Sequence, residues 1–395
     1  MNRRIQAIPP SMTLTIAARA AAMREKGEDV VSLSAGEPDY DTPQPIKDAA
    51  IKAIRDGQTK YTASAGMPSL RRAIAEKLLS DNGLTYDHTS VIVGVGAKQC
   101  LYNLIYCLLE EGDDALIPSP YWLSTPEMVK LAGARPVFVP CLEEDGYPLK
   151  VEALRKAWTP KSKLLVINSP CNPTGAVYSW DDLVEIGKFA LEKDLFVISD
   201  EIYEKIVYDN KRHVSILNAV PELRDRCALV GGFSKTWAMT GWRVGYAAGP
   251  RAVIDACDRF QSHSTSNTAT PSQHAALAAL IVDDEFTGRM VKEFDRRRRY
   301  CMDRIRKIPG LSASEPHGAF YIMVRTDRFY GKSAGGKKVT DSLTFCERLL
   351  DAEKVAAVPG AAFGSDRHVR ISYATGMGAL EKAFDRIERF VKGMA

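Results

Sequence analysis

The sequence predicts an α/β chain: a large domain with a mostly parallel sheet flanked by helices, then a smaller α+β domain. Three observations carry this reading. Short apolar runs alternate with helical patterns through the middle of the chain. Each run ends in turn chemistry, and the runs read as buried on both faces, as parallel strands are. From about Asp284 the chain becomes more charged, and short strands sit among helices. We divide the 395 residues into an N-terminal segment (1–44), a large domain (45–283) and a small domain (284–395).

The elements follow in order. The segment before about Gln44 reads as Pro-rich and irregular, packing on the small domain or on a partner subunit. "SVIVGVG" (Ser90–Gly96) is a β-rich run ended by glycines. The stretch after it carries Leu101, Leu104, Ile105, Leu108 and Leu109. That spacing gives a helix with one buried face. "DALIPSP", "RPVFVP", "KLLVINSP", "LFVISDEIY", "CALVGGFSK" and "WRVGYAAGP" are the next strand candidates. In the last third, "EFTGRMVKEFDRRRRYCMDRIRKI" reads as a long helix, and "AFYIMV" and "VRISYA" as strands. "DRRRRY" (Asp295–Tyr300) reads as one solvated turn of charged helix, and "YGKSAGGKK" (Tyr330–Lys338) as a surface loop.

Composition excludes several classes. A net charge of +4 is too mild to argue for nucleic acid. No apolar stretch approaches membrane-spanning length, and "MNRRIQAIPPS" lacks the apolar core of a signal peptide. The eight cysteines show no CxxC or metal-like spacing, so no metal site is expected. They read as free thiols in a reducing cytoplasm.

Open parallel sheets bind ligands beyond the carboxyl ends of their strands. The polar residues there are Gly96-Ala97-Lys98, Tyr121-Trp122, Asn168 and Asn172, Asp200-Glu201 with Tyr203, and Ser234-Lys235, with Arg243 close by. Free N–H groups where "VGVGAK" enters a helix suit phosphate. Trp122 can stack on a planar ring. Asp200 can pair with a protonated ring nitrogen, and Tyr203 can bond a ring oxygen. A partly unprotonated Lys235 can condense with an aldehyde. Each element alone is weak: a strand-end Asp is more often a helix cap, and Trp122 serves equally as core. Together, at successive strand ends, they describe pyridoxal phosphate.

"GFSKTWAMTGWRVG" (232–245) resembles the lysine signature of class I aminotransferases, pyridoxal-phosphate enzymes of fold type I. "NSPCNPTG" (168–175), "SDEIY" (199–203), "AGEPDYDTP" (35–43) and "KYTASAG" (60–66) resemble further blocks of that family. The resemblance runs from about Arg4 to about Phe390 and is closest to the bacterial aspartate enzymes. It implies that Lys235 is the Schiff-base lysine and proton shuttle, and that Asp200 keeps the ring nitrogen protonated. Tyr203 and Asn172 would contact the ring oxygen, and Trp122 would stack on the ring. Gly96, the amides of Ala97 and Lys98, Ser234 and Arg243 would cradle the phosphate. Tyr61 would reach a phosphate across a homodimer interface. Gly36 would approach the substrate through its backbone, with Trp122 and Asn172 beside it. Arg370 in "HVRISYA" would take the substrate's α-carboxylate.

The substrate is less legible. Lys98 opposes the dipole of the helix it opens, so an anion belongs near it. Related aspartate enzymes use a lysine there for a second carboxylate, which favours aspartate with 2-oxoglutarate in a ping-pong reaction. "AIPPSMTLT" (Ala7–Thr15) has prolines where relatives that accept prephenate carry a lysine, which weakens that role without removing it. Aromatic or broad-specificity transfer and carbon–sulfur lyase chemistry are the alternatives. A ligand-sensing regulator would need a DNA-binding domain before "AGEPDY", for which there is no room. A dehydrogenase would need a dinucleotide fingerprint, which is absent. Cys171, beside Asn172, reads as a small core filler near the site.

Overall fold

The computed structural model describes residues 3–282 and 285–395. Its central sheet has seven strands: β1 (Val91–Gly94), β2 (Asp114–Ser119), β3 (Arg135–Pro140), β4 (Ser162–Asn168), β5 (Phe196–Asp200), β6 (Cys227–Gly232) and β7 (Gly245–Ala248). These are the seven runs read from the sequence. Their order is β1-β7-β6-β5-β4-β2-β3, and only β7 runs antiparallel to its neighbours.

Both faces of this sheet are covered except along the edge strand β3, where Arg135, Phe138 and Pro140 are exposed, and that is why its inner strands are mostly apolar. Val91, Val93, Leu165, Ile167, Val197 and Leu229 enter one core cluster. The alternate residues Ile92, Leu164, Val166, Ile198, Ala228 and Val230 enter another on the opposite face. A period of two with no polar partner face leaves a continuous apolar run.

A second sheet of three antiparallel strands comprises β8 (Tyr321–Arg325), β9 (Val358–Pro359) and β10 (His368–Ser372), in the order β9-β10-β8. It has its own core, built from Phe294, Phe320, Ile322, Phe345, Val369 and Ile371 among others. The expected boundary at residues 283 and 284 lies outside the described residues.

Three sequence expectations are corrected. The N-terminal segment is not irregular: Met12–Glu25 forms a 14-residue helix. Its alanines favour a helix, and the prolines before it only delay the start. Val31–Ser32 then pairs in parallel with Val355–Ala356, tying this segment to the C-terminal third. Tyr330–Lys338 is not merely a loop. Ser333–Ala334 pairs with Lys337–Lys338, and Gly335 and Gly336 turn between them at φ 56° and 75°. "DRRRRY" is not a solvated turn. It lies in the helix Glu285–Lys307, where Arg297 and Arg298 are buried. Arg298 bonds Asp209 (2.8 Å), Asp295 (2.7 Å), Glu315 (2.9 Å) and the Pro316 carbonyl (2.9 Å), which supplies the pairing a buried guanidinium needs. Composition gave no sign of these distant carboxylates.

Candidate active site

The registers Asn168↔Asp200 and Asp200↔Val230 bring the carboxyl ends of β4, β5 and β6 level. A cavity of about 380 Å³ opens there, closed on its far side by Tyr321 and Arg370 from the second sheet. Gly36, Ala97, Lys98, Trp122, Asn172, Asp200, Tyr203, Ser234, Lys235, Arg243 and Arg370 all line it. Eleven residues separated by more than 300 positions thus converge on one space.

Asp200 ends β5 with its side chain turned into the cavity and is 6% exposed. Among the described residues its carboxylate accepts only the Ile202 amide, at 3.2 Å. Burial pushes its pKa up to about 7; the amide and Lys235 pull down, and Glu201 adds to the rise. A carboxylate so exposed to desolvation lacks a cationic partner.

Lys235 follows β6. Its Nζ donates to the Gly36 carbonyl and lies 5.9 Å from the centre of the Tyr203 ring. Desolvation lowers its pKa to about 8, opposed by Glu37 and reinforced by Arg243 and Arg370. About one amine in ten is then unprotonated at neutral pH, against about one in three thousand for an ordinary lysine.

The helix Ala97–Leu108 starts at the cavity, and its first amides have no intrahelical acceptor. Gly96 precedes it at φ 79°. A side chain there would meet Arg243 Nη2 at 2.5 Å, so glycine lets the guanidinium lie against the helix entrance. Arg243 itself has φ 54°, and its Nη1 donates to the Thr240 carbonyl at 2.8 Å. Lys98 Nζ sits 5.0 Å from the Trp122 ring centre. Burial, then Arg243, hold its pKa below the usual lysine value. No carboxylate pairs with it among the described residues.

Arg370, in the middle of β10, is 2% exposed. Nη1 donates to Asn172 Oδ1 and Nη2 to the Ser34 carbonyl, each at 3.0 Å. The guanidinium lies over Tyr321, 4.4 Å from its centre. Nε is buried with no partner among the described residues. Tyr203 and Tyr321 share a hydroxyl contact of 2.9 Å beside it.

Two of the expected residues do not line this chain's own cavity, although Tyr61 is expected to act in a partner's site rather than in this one. Gly96 stands behind Arg243 and does not itself line the cavity. Tyr61 is 91% exposed and apart from it. Cys171 is buried in the core, outside the cavity lining. The sequence reading missed Thr13, Leu14, Glu37, Thr240 and Tyr321, which also line the cavity, and gave Asn168 no role. Glu37, beside Gly36, accepts from Thr240 Oγ1 at 2.6 Å. A charge inside "AGEPDY" was the available signal for it. Tyr321 carried none, since its strand reads as plain core.

The cavity sets Lys98, Lys235, Arg243 and Arg370 against only Glu37 and Asp200. It is therefore built for a polyanion, with one buried carboxylate left for a cation. The family model "Aminotransferase class I and II" matches residues 28–387, and the chain belongs to that family. Among its relatives, the aspartate aminotransferase of Geobacillus stearothermophilus is 45% identical over 395 residues, covering all of both chains. A probable aspartate/prephenate aminotransferase of Rickettsia felis is 43% identical, covering 98% of this chain and 96% of its own. The crystal structure of the aspartate aminotransferase from Rhizobium meliloti superposes with a TM-score of 0.96 at 40% identity, covering 100% and 99%. That of the Thermus thermophilus enzyme with maleate gives 0.93 at 41%, covering 99% of each.

Proposed function

We propose that the chain moves the amino group of aspartate to 2-oxoglutarate in a ping-pong reaction that uses pyridoxal phosphate. The observation that carries this is the single cavity joining a low-pKa amine, an unpaired buried carboxylate and a buried guanidinium with a free Nε. The residues fit the cofactor. Its phosphate suits the amides of Ala97 and Lys98 with Ser234 and Arg243, and its ring suits the face of Trp122. Its nitrogen suits Asp200, its ring oxygen Tyr203 and Asn172, and its aldehyde Lys235. When bound, the cofactor supplies an aldehyde and an electron-accepting pyridinium ring.

The chain's own residues do the rest. Asp200 gains the cation it lacks and is held ionised. Lys235 Nζ takes the proton from the substrate's α-carbon and returns one to the product, a task its pKa near 8 suits. Arg370 binds the α-carboxylate, its plane fixed by Asn172 and Ser34. Lys98, lacking a carboxylate of its own, takes the second carboxylate of a dicarboxylic substrate. The maleate named for the Thermus relative is such a molecule. The C-terminal unit that carries Arg370 would close over bound substrate.

The active unit is a homodimer in which Tyr61 of the partner subunit completes the phosphate site. The 91% exposure of Tyr61 in the single chain supports this. The eight free thiols support a reducing, cytoplasmic setting, and no described helix is long and apolar enough to cross a membrane. Prephenate is a second acceptor to test, since relatives carry it in their names.

The test is an absorbance spectrum with pyridoxal phosphate, followed as aspartate and then 2-oxoglutarate are added. A visible band that fades with aspartate and returns with the oxo acid supports the reading. No visible band overturns it.

A further inference from the structure

Behind Asp200, on the other face of the sheet, lies a buried charge cluster that the reaction does not touch. Side chains alternate along a strand, so Ser199 and Glu201 point away from the cavity that Asp200 faces. Glu201 Oε1 accepts from Ser199 Oγ (2.9 Å) and Ser215 Oγ (2.7 Å). Its Oε2 meets His213 Nε2 at 3.0 Å. The His213 and Glu201 side chains are only 6% and 5% exposed. Glu204 completes the group: one side-chain oxygen or nitrogen from each of Glu201, Glu204 and His213 lies within 4.8 Å of the others.

This cluster already holds its cation. Lys77 Nζ bonds Glu204 Oε1 and Asn82 Oδ1, and Asn82 Nδ2 donates to Glu204 Oε2 at 2.9 Å. Two carboxylates therefore face one permanent ammonium. The other neighbours leave that balance alone. Burial raises the pKa values of Tyr86, Tyr246 and Cys227, so these groups stay neutral. Asp81, 3.9 Å from Lys77, is paired with Lys205 at 2.9 Å. The charge of His213 thus decides whether the cluster is neutral or carries one negative charge.

The imidazole is arranged to make that decision. A carboxylate only accepts, so Nε2 must carry the hydrogen that reaches Glu201. Nδ1 is buried and has no partner among the described residues, so protonation there changes the charge without breaking the bond to Glu201. Burial opposes the charged form, but Glu201 and Glu204 outweigh it, and the net shift is upward from 6.5.

We propose that His213 is a positioning residue for the reaction: through Glu201 it sets the negative charge standing behind Asp200, and so the strength with which Asp200 holds the cofactor's ring nitrogen. This rests on the reading of Asp200 given above. It adds a residue outside the cavity, on the opposite face of the sheet, that tunes a group inside it.

Two measurements test it. The first is histidine NMR on the cofactor-free protein, whose six histidines allow assignment by the signal lost in His213→Gln. His213 should titrate above 6.5; a midpoint at or below that value overturns the inference. The second is the pH midpoint of the visible band of the pyridoxal-phosphate-loaded protein. Glutamine keeps a donor for Glu201 but cannot carry charge. His213→Gln should raise the midpoint by about one unit, the effect of one uncompensated charge at an effective dielectric near 20. Glu204→Gln leaves Lys77 in excess and should lower it. Opposite signs separate an electrostatic role from damage to the fold, which would shift both variants alike. A wild type without a visible band overturns the functional reading and this inference together. A band whose midpoint is the same in wild type and His213→Gln overturns the inference alone.

Discussion

Arg370 shows what one residue does when its surroundings are fixed. Its fork is held by Asn172 and Ser34 and its plane by Tyr321, so little freedom is left to lose on binding a carboxylate. Lysine keeps the charge but loses the fork. Arg370→Lys should lower kcat/KM for aspartate roughly 10- to 100-fold, mainly through KM, the value of about one charge-assisted hydrogen bond. Unchanged steady-state kinetics would remove Arg370 from substrate binding. Asp200 makes a pH-dependent prediction. In the cofactor-free chain its pKa is about 7, above the 3.8 of an ordinary aspartate. Between those values the folded state keeps a proton that the unfolded state releases, so stability falls as pH rises and levels off beyond about 7. Asp200→Asn has no proton to lose. Its stability relative to wild type should increase from pH 4 to pH 7 by on the order of 4 kcal/mol. Urea denaturation across that range measures it, and a flat difference contradicts the burial argument.

At the scale of elements, the site depends on how β7 meets the helix Ala97–Leu108. The pairing Gly94↔Gly245 brings two glycines together where that helix begins. A side chain at Gly245 would meet the Ala97 amide nitrogen at 2.2 Å and the Gly96 carbonyl carbon at 2.5 Å. Backbone cannot yield as a flexible side chain can. Gly245→Ala should therefore displace the helix entrance, weaken pyridoxal phosphate binding and cost about 1–3 kcal/mol. Gly241 is the control. Nothing lies within 4 Å of a side chain added there, and Gly241→Ala should stay within about 0.5 kcal/mol of wild type. Equal effects on cofactor titration and denaturation would contradict the packing argument.

For the whole molecule, Arg298 is the strongest stability prediction. It gathers Asp209, from the connection between β5 and β6, and Asp295 and Glu315 from the C-terminal third. Arg298→Met keeps the stem but leaves three carboxylates around an apolar group. A loss of about 3–5 kcal/mol is expected in equilibrium unfolding. A loss below about 1 kcal/mol would mean the guanidinium contributes no more than a surface pair does.

Periodicity and turn chemistry were enough to find every strand of the central sheet, because strands covered on both faces are apolar throughout and end in turn residues. They also placed most of the cavity, since the ends of parallel strands must lie together. The glycine turn before Ala97 and the lysine beyond β6 are local in sequence. Only the tertiary structure decided the rest. It buried Arg297 and Arg298, because the carboxylates that permit burial come from distant segments. It made Tyr321 a wall of the site, although its strand reads as ordinary core. It also set Glu201 and His213 behind Asp200, where strand alternation turns adjacent carboxylates to opposite faces. Sequence fixes which groups a strand presents. Burial and long-range pairing decide which of them stay charged.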